Sequence, residues 1–389
     1  MNILYITANP LEYSSSANMR NIALISGLIE NGHNVSTLSA QKNNNSIYID
    51  KSKTDLNFKR RYWIKEKNIS INKQDKNVTI KKKIKEIVYK LYMLFSIYDP
   101  KKRLINNVEN VKFEDEFDVV ISSSDPKSAH LIAEKVIENI NEKVKWIQYW
   151  GDPFAEDINR RNIIPKAIIK KEEKRIISKA NKIIYVSPFT LKKQKKIYKE
   201  NANKMFFYPV PYIKRKIYNK NITKNLKYSV GYFGNYNTHD RNIMPLYNAI
   251  SNDQEITLKI CGDSNLKLSN RKNIFVENRQ AREDIEKYEE DIDLLVCICN
   301  KKGTQIPGKI YHYAATNKPI LVIINESNQE MKNYFESFNR FILCNNNEQD
   351  IINKIRNIIK SNKKYSPCDN FEAKIIAKEV LEDNKTDEK

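Results

Sequence analysis

The chain has 389 residues, enough for two domains of ordinary size, each with a core of its own. Its 68 Lys and Arg against 47 Asp and Glu leave a net charge of +21, which points to acidic partners: phosphorylated substrates, nucleic acid or an anionic membrane surface. No apolar run approaches the roughly 20 residues of a membrane span, and the five cysteines form no CxxC pair and show no zinc spacing. The apolar start, Met1 to Ile6, is too short for a signal peptide and lacks a basic leader, so the cytoplasm is the expected location.

In chain order, NILYIT (Asn2–Thr7) reads as a strand followed by a polar turn. Met19, Ile22, Ala23, Ile25 and Leu28 give Asn18–Asn31 a helical period, Gly32 caps it, and Asn34–Ser39 is the next strand. A strand–loop–helix–strand unit of this kind opens a doubly wound α/β domain. Its loop carries Ser14, Ser15 and Ser16 where a dinucleotide fold carries glycines, so no pyrophosphate grip is expected here. Gln41–Thr79 is polar and weakly patterned, which fits either an insertion or a mobile excursion.

Ile80–Ile97 predicts an amphipathic helix. Lys81, Lys82, Lys83, Lys85 and Lys90 form one face, and Ile84, Ile87, Val88, Leu91, Leu94 and Phe95 the other. Packing of the apolar face on the core is the simpler expectation, and contact with an anionic membrane is the alternative. Further basic runs, Lys170 to Arg175 and Lys192 to Lys196, are interleaved with apolar residues in the same way. That interleaving suits a membrane surface better than a disordered nucleic-acid arm.

From Asp118 strands and helices alternate. Asp118–Ser124, Val144–Trp150, Lys182–Ser187 and Met205–Pro209 are predicted strands, and Pro126–Asn139, Pro165–Ala180 and Pro188–Glu200 predicted helices. Pro126 and Pro188 stand at first-turn positions where a missing N–H is tolerated. Residues 1–208 form the first predicted domain, and 209–226, with two prolines and no apolar pattern, the linker. A second set fills 227–365: strands Tyr228–Asn235, Ile256–Gly262, Asn273–Glu277, Asp293–Cys299, Ile320–Ile324 and Phe341–Cys344. Helices are predicted at Arg241–Ile250, Ala281–Glu290, Pro307–Thr316, Asn328–Phe338 and Glu348–Ser361. Residues 366–389 give a last helix and a frayed tail. The fold class is therefore α/β: two doubly wound Rossmann-like domains, with the ligand cleft expected between the carboxyl ends of their sheets.

Strand ends and loops supply the candidate residues. Gly234 and Asn235 end one strand, Gly262 another, and Asn278 and Arg279 follow a third. Gly308 and Lys309 lie in the first turn after Pro307, where backbone N–H groups and a lysine suit a phosphate. With Lys309, Arg241 gives two cations able to hold a diphosphate without a metal. In the first domain His130 follows the strand ending near Ser124, and Asp152 follows the strand ending at Trp150.

The ordered set MNILYITANP, NMRNIALISGLIENGHNV, DVVISSSDPKSAHLIAEKV, WIQYWGDPF, ANKIIYVSPFT, YSVGYFGN, LKICGD and IPGKIYHYAATNKPIL resembles the GT-B glycosyltransferases. The resemblance is to glycosyltransferase family 4 and its relatives in bacterial surface-polysaccharide assembly, and it spans nearly the whole chain. It implies transfer of a hexose, with retained anomeric configuration, from a nucleotide-sugar donor to a lipid-linked or polysaccharide acceptor in capsule, O-antigen or exopolysaccharide synthesis. It implies no cofactor, no metal and no nucleic-acid partner, and work in the cytoplasm or at the inner membrane face.

Carried over by position, the donor site would comprise Gly234, Asn235, Arg241, Gly262, Asn278, Arg279, Thr304, Gln305, Pro307, Gly308, Lys309 and His312. Arg241 and Lys309 would meet the diphosphate, Asn278 and Arg279 the base, and His312 the ribose. Asn18, Arg20 and Trp150 would face the acceptor, with Asp152 and His130 as catalytic residues. Where the family carries two glutamates eight positions apart, this chain has Thr304 and His312. The competing readings are a sugar epimerase or non-catalytic relative on the same fold and, from another class, a basic nucleic-acid-binding protein.

Overall fold

The structure, a computed structural model, describes residues 1–42, 56–65, 78–140, 143–160, 162–219, 227–361 and 363–382, with the backbone alone at 78–86. The chain divides into two compact units. One runs through Tyr208 and takes in the C-terminal segment from Ala377, and the other spans Pro209–Ile376.

The first unit is built from β1 (Asn2–Thr7), α1 (Ser16–Glu30), β2 (Asn34–Ala40), β3 (Arg60–Ile64), α2 (Val78–Phe95), β4 (Val119–Ser123), α3 (Ser128–Ile140), β5 (Lys145–Trp150), α4 (Lys166–Ser178), β6 (Lys182–Tyr185), α5 (Pro188–Ile197) and β7 (Met205–Phe207). Its seven strands are parallel, in the order β3-β2-β1-β4-β5-β6-β7. β1 and β4 are apolar runs buried on both faces, as the inner strands of a parallel sheet must be. Ser15 caps α1 by accepting from the Asn18 N–H, and Ser187 caps α5 ahead of Pro188. The chain order reverses between β1 and β4, and in open α/β sheets the carboxyl ends at such a reversal are where ligands commonly bind.

Two expectations fail in this unit. β3 arises inside the predicted insertion: Tyr62 and Ile64 turn inward, while Arg60 and Arg61 pair with Glu114, Asp115 and Glu12. The apolar face of α2 does not pack on the core, since Ile87, Val88, Leu91 and Phe95 are exposed. The helix is anchored at its end instead. The Leu94 carbonyl accepts from the Ile163 N–H (3.0 Å), and the nearby Tyr98 is buried against Phe154.

The second unit comprises β8 (Tyr228–Phe233), α6 (Met244–Ser251), β9 (Ile256–Cys261), β10 (Ile274–Glu277), α7 (Arg282–Asp291), β11 (Leu294–Ile298), α8 (Lys309–Ala314), β12 (Ile320–Ile324), α9 (Gln329–Glu336), β13 (Ile342–Asn345) and α10 (Glu348–Lys360). Its strands are parallel in the order β10-β9-β8-β11-β12-β13, with the reversal between β8 and β11. A last helix, α11 (Ala373–Leu381), ends in the first unit. There Lys182 donates to the carbonyls of Glu379 (3.0 Å) and Glu382 (2.6 Å), closing the helix's open end.

α6 begins at Met244 and not at Arg241. The side chain of Asn237 accepts from the N–H groups of His239 (2.9 Å) and Asp240 (2.6 Å), and Asn242 accepts from that of Met244 (3.1 Å). These local bonds hold the segment in a loop in competition with the helix. α8 is six residues long, shorter than the ten of Pro307–Thr316. Within the predicted linker, 212–218 is bonded to the second unit: Tyr212 donates to the Phe371 carbonyl, Lys216 to that of Ala315 and Tyr218 to the Asn317 side chain. Its remainder, 220–226, and the predicted frayed tail, 383–389, lie outside the described residues.

Candidate functional site

In the first unit the polar groups converge on the ends of β1, β4 and β5. Arg20, on α1, is buried. It donates to the Ser124 carbonyl and lies over the Tyr149 ring, 5.3 Å from its centroid. Gly151 makes room for it, because a Cβ there would overlap the guanidinium. His130, on α3, is fully buried, stacks on Trp150 at 4.1 Å and places Nδ1 2.8 Å from the Ser122 hydroxyl. Ser122 also accepts from Trp146 Nε1 at 2.8 Å, so its own proton is free to go to Nδ1, which leaves the imidazole proton on Nε2. Burial, together with the charges of Lys127 and Arg20, holds the His130 pKa well below its ordinary value, and the ring is neutral at pH 7. Arg20 Nε and His130 Nε2 are buried polar atoms with no hydrogen-bond partner among the described residues. Buried polar atoms without a partner are exceptions in a folded protein, and each calls for an explanation.

Two further groups were not anticipated from the sequence. Lys127 bonds to Asp125 (2.7 Å) and Asp157 (2.9 Å). Burial opposes its charge, but Asp125, Asp157 and Asp152 outweigh it and raise the Lys127 pKa. Glu173, fully buried on α4, accepts from the N–H groups of Phe154 (2.9 Å) and Ala155 (3.0 Å) and from the Tyr198 hydroxyl (2.7 Å). It thereby fixes the turn that carries Gly151 and Asp152.

In the second unit the loop after β8 meets the loop after β11. Arg241 donates through Nε to Asn300 Oδ1 (2.7 Å), and Asn300 donates to the Gln305 carbonyl (3.2 Å). Gly262, after β9, lies so close to Gly234 that a Cβ would strike the Gly234 carbonyl. Lys309 opens α8 with its ammonium 5.8 Å from the ring centroids of both Phe233 and Tyr313 and 3.9 Å from Glu289. Burial pulls the Lys309 pKa down, while the same burial pushes that of Glu289 up. Arg282 and Lys216 pair with Glu286 at 3.2 and 3.0 Å. His312 is pushed down to about 3 by burial, with Arg282, Lys309 and Lys216 adding to the effect, so it too is neutral at pH 7. Among the described residues no group of three or more His, Cys, Asp or Glu is placed to hold a metal ion.

No family model and no curated protein matches the sequence. Solved structures do match the fold over almost the whole chain. Sucrose-phosphate synthase from Thermosynechococcus elongatus aligns with a TM-score of 0.54 at 11% identity, covering 97% of this chain and 92% of its own. HepE of Anabaena, solved with UDP and glucose, aligns with a TM-score of 0.54 at 10% identity and covers 98% and 96%. A glycosyltransferase from Rickettsia africae gives 0.51 at 13% identity over 98% and 93%. The chain has the GT-B fold. Its two parallel sheets with alternating helices match that architecture.

Within each unit of the GT-B fold, most of the anticipated residues fall at the carboxyl ends of strands. Arg20, His130 and Asp152 cluster in the first unit. Gly234, Asn235, Arg241, Gly262, Gln305 and Lys309 cluster in the second, where Asn235 Oδ1 accepts from the Asp263 N–H (3.3 Å). Asn278 and Arg279 are exposed and follow the edge strand β10, two strand spacings from β8, or roughly 10 Å. Thr304 is half-buried in the loop before α8. Pro307 is buried, and Gly308 is the residue before the first turn.

Two residues do structural work where they stand. Asn18 gives its amide to the carbonyls of Pro10 (2.7 Å) and Tyr13 (2.8 Å), holding the first loop. Trp150 is buried and spends its N–H on Gln148 (3.1 Å), which makes it the floor on which His130 stacks. With α8 only six residues long, the N-terminal dipole contributes less than the cations around it.

Proposed function

We propose that this chain is a glycosyltransferase moving a hexose from a nucleotide-diphosphate donor, held by the second unit, to a lipid-linked or polysaccharide acceptor held by the first. The observation that carries this reading is the placement of Arg241 and Lys309 in the loops that follow β8 and β11, the two strands flanking the reversal in chain order. Sugar transfer from such a donor builds negative charge on the departing diphosphate. Two fixed cations stabilise that charge without reorganising and without a metal. The roughly 10 Å from β8 to β10 suits the reach of a nucleoside, with Asn278 and Arg279 near the base. His312, neutral, would meet the ribose. HepE, with UDP and glucose bound, is a solved protein on this fold that handles such ligands.

In the first unit Asp152 would orient or deprotonate the acceptor hydroxyl, the usual task of a carboxylate beside one. The unpartnered Nε2–H of His130 and the guanidinium of Arg20, both buried here, would hold the reacting sugar once uncovered. Retention of anomeric configuration, and a place in capsule, O-antigen or exopolysaccharide synthesis, complete the reading.

The test is to incubate the chain with labelled nucleotide sugars and a bacterial lipid extract and to follow nucleoside diphosphate release. Release with one donor that rises with acceptor supports the transferase. Free sugar without any acceptor would favour an epimerase, and no turnover with any donor would refute the proposal.

A further inference from the structure

Glu289, on α7, is a buried carboxylate that the transfer chemistry does not use. It is 9% exposed, and its ion pairs are long: 3.9 Å to Lys309 at the start of α8 and 4.0 Å to Lys216 in the 212–218 segment. Glu286, three residues back on the same helix face, is better served, with Lys216 at 3.0 Å and Arg282 at 3.2 Å. Lys216 is therefore committed mainly to Glu286, and Lys309 is the cation on which Glu289 depends.

An anion drawn to Lys309 upsets this balance. Lys216, Arg282 and Lys309 against Glu286 and Glu289 leave one positive charge. A diphosphate brings more negative charge than that. Once Lys309 turns to the phosphate, Glu289 keeps only Lys216, at the outer limit of an ion pair. A buried carboxylate without a close partner takes up a proton instead.

The other groups that face Glu289 supply no replacement charge. Tyr218, in the 212–218 segment, and Tyr313, on α8, are phenols kept protonated by burial and then by the Glu289 charge itself. His312, on α8, is held neutral by burial and by the neighbouring cations. Lys318 spends its ammonium on the carbonyls of Glu290 (2.6 Å) and Ile292. Burial already pushes the Glu289 pKa up, and Lys309 is the first of the charges that pull it back.

We propose, building on the assignment of the diphosphate to Lys309, that Glu289 is the counterion of that lysine in the empty site and is displaced by a nucleoside diphosphate, one proton passing from solvent to the Glu289 carboxyl as the nucleotide binds. Binding that takes up a proton strengthens as pH falls, by up to about tenfold per pH unit between the carboxyl's values in the empty and the occupied site.

The test is calorimetric titration of the full chain and of Glu289→Gln with UDP, GDP, ADP and TDP, at about pH 6, 7 and 8, in two buffers of different ionisation enthalpy. The heat difference between buffers counts the protons moved, and the difference between parent and variant removes those of Lys309 and of the nucleotide. Glutamine has the shape of the protonated carboxyl and no charge to bury, so the variant should melt no lower than the parent. For a nucleotide that binds, the parent should take up to about one proton more than the variant. The variant should bind roughly tenfold tighter at about pH 8, the two converging toward about pH 6. Equal proton counts, or equal affinities across the pH range, overturn the proposal and leave the diphosphate assignment standing. Weaker binding in the variant also overturns it, because Glu289 would then be helping to hold the nucleotide. If none of the four binds, the diphosphate assignment itself fails and the proposal falls with it.

Discussion

In the first unit the polar groups at the reversal point are buried and bonded to one another: His130 to Ser122, Arg20 to Ser124, Lys127 to two aspartates and Glu173 to three donors. In the second, Arg241 and Lys309 are half-buried, and the nearest carboxylate to Lys309, on Glu289, is 3.9 Å away. The first arrangement is part of the fold; the second is loose enough for a phosphate to replace the carboxylate. Removing a polar group in the first unit should therefore cost stability. Removing one in the second should cost binding and leave stability nearly intact.

The largest effect is expected for Glu173→Ala, which strands two backbone N–H groups and a tyrosine hydroxyl. A loss of about 3 kcal/mol would lower the melting temperature of the first unit by roughly 6 to 12 °C in a thermal scan. Lys309→Ala should weaken nucleoside diphosphate binding by roughly 10- to 100-fold, the worth of a charge-assisted hydrogen bond, while the melting temperature of the unliganded chain stays put. A large drop in that temperature would break the contrast between the units. Gly262→Ala drives a methyl into the Gly234 carbonyl and is expected to cost about 1 to 3 kcal/mol, read from denaturant unfolding of the second unit.

The two histidines sharpen the comparison through pH. Burial lowers both pKa values from the ordinary 6.5, that of His312 to about 3. Below about 6.5 the unfolded chain takes up protons that the folded chain refuses. Stability is therefore complete above that pH and falls as pH drops toward the folded-state value, by up to about 1.4 kcal/mol per pH unit for each group. His312→Gln should flatten the melting temperature of the second unit between about pH 6 and about pH 4 and leave that of the first unchanged. The smallest effect is expected for the exposed Arg279→Ala, within about 0.5 kcal/mol in stability.

The architecture was legible because inner strands of a parallel sheet announce themselves as apolar runs, Ile320–Ile324 most clearly, and helix starts carry Pro188 or a serine cap. β3 was hidden because an edge strand reading RRYWI buries only Tyr62 and Ile64, and its arginines look like an insertion until Glu12, Glu114 and Asp115 come into view. The start of α6 was misplaced because the asparagines at 237 and 242 compete locally for the backbone. His130 and Arg241 are legible from their positions after predicted strands, Lys309 from the first helical turn after Pro307, and Arg20 only through the family resemblance. Asn300 shares the strand-end signal, one residue beyond DLLVCIC, and was overlooked. Glu173 could not be found that way, because Phe154, Ala155 and Tyr198, whose N–H and O–H groups it accepts, are distant in the chain, and the pairing of Lys127 with Asp157 is hidden for the same reason. The exposed stripe of α2 was visible as a pattern, but periodicity alone does not say whether a core or something else covers it.

The most direct test of the central claim is calorimetric titration of the full chain with UDP, GDP, ADP, TDP and CMP, repeated on Lys309→Ala. Saturable binding of one nucleoside diphosphate, lost or weakened by at least roughly tenfold in the variant, is the predicted result. Heat from none of them, or equal affinity in the variant, would contradict it.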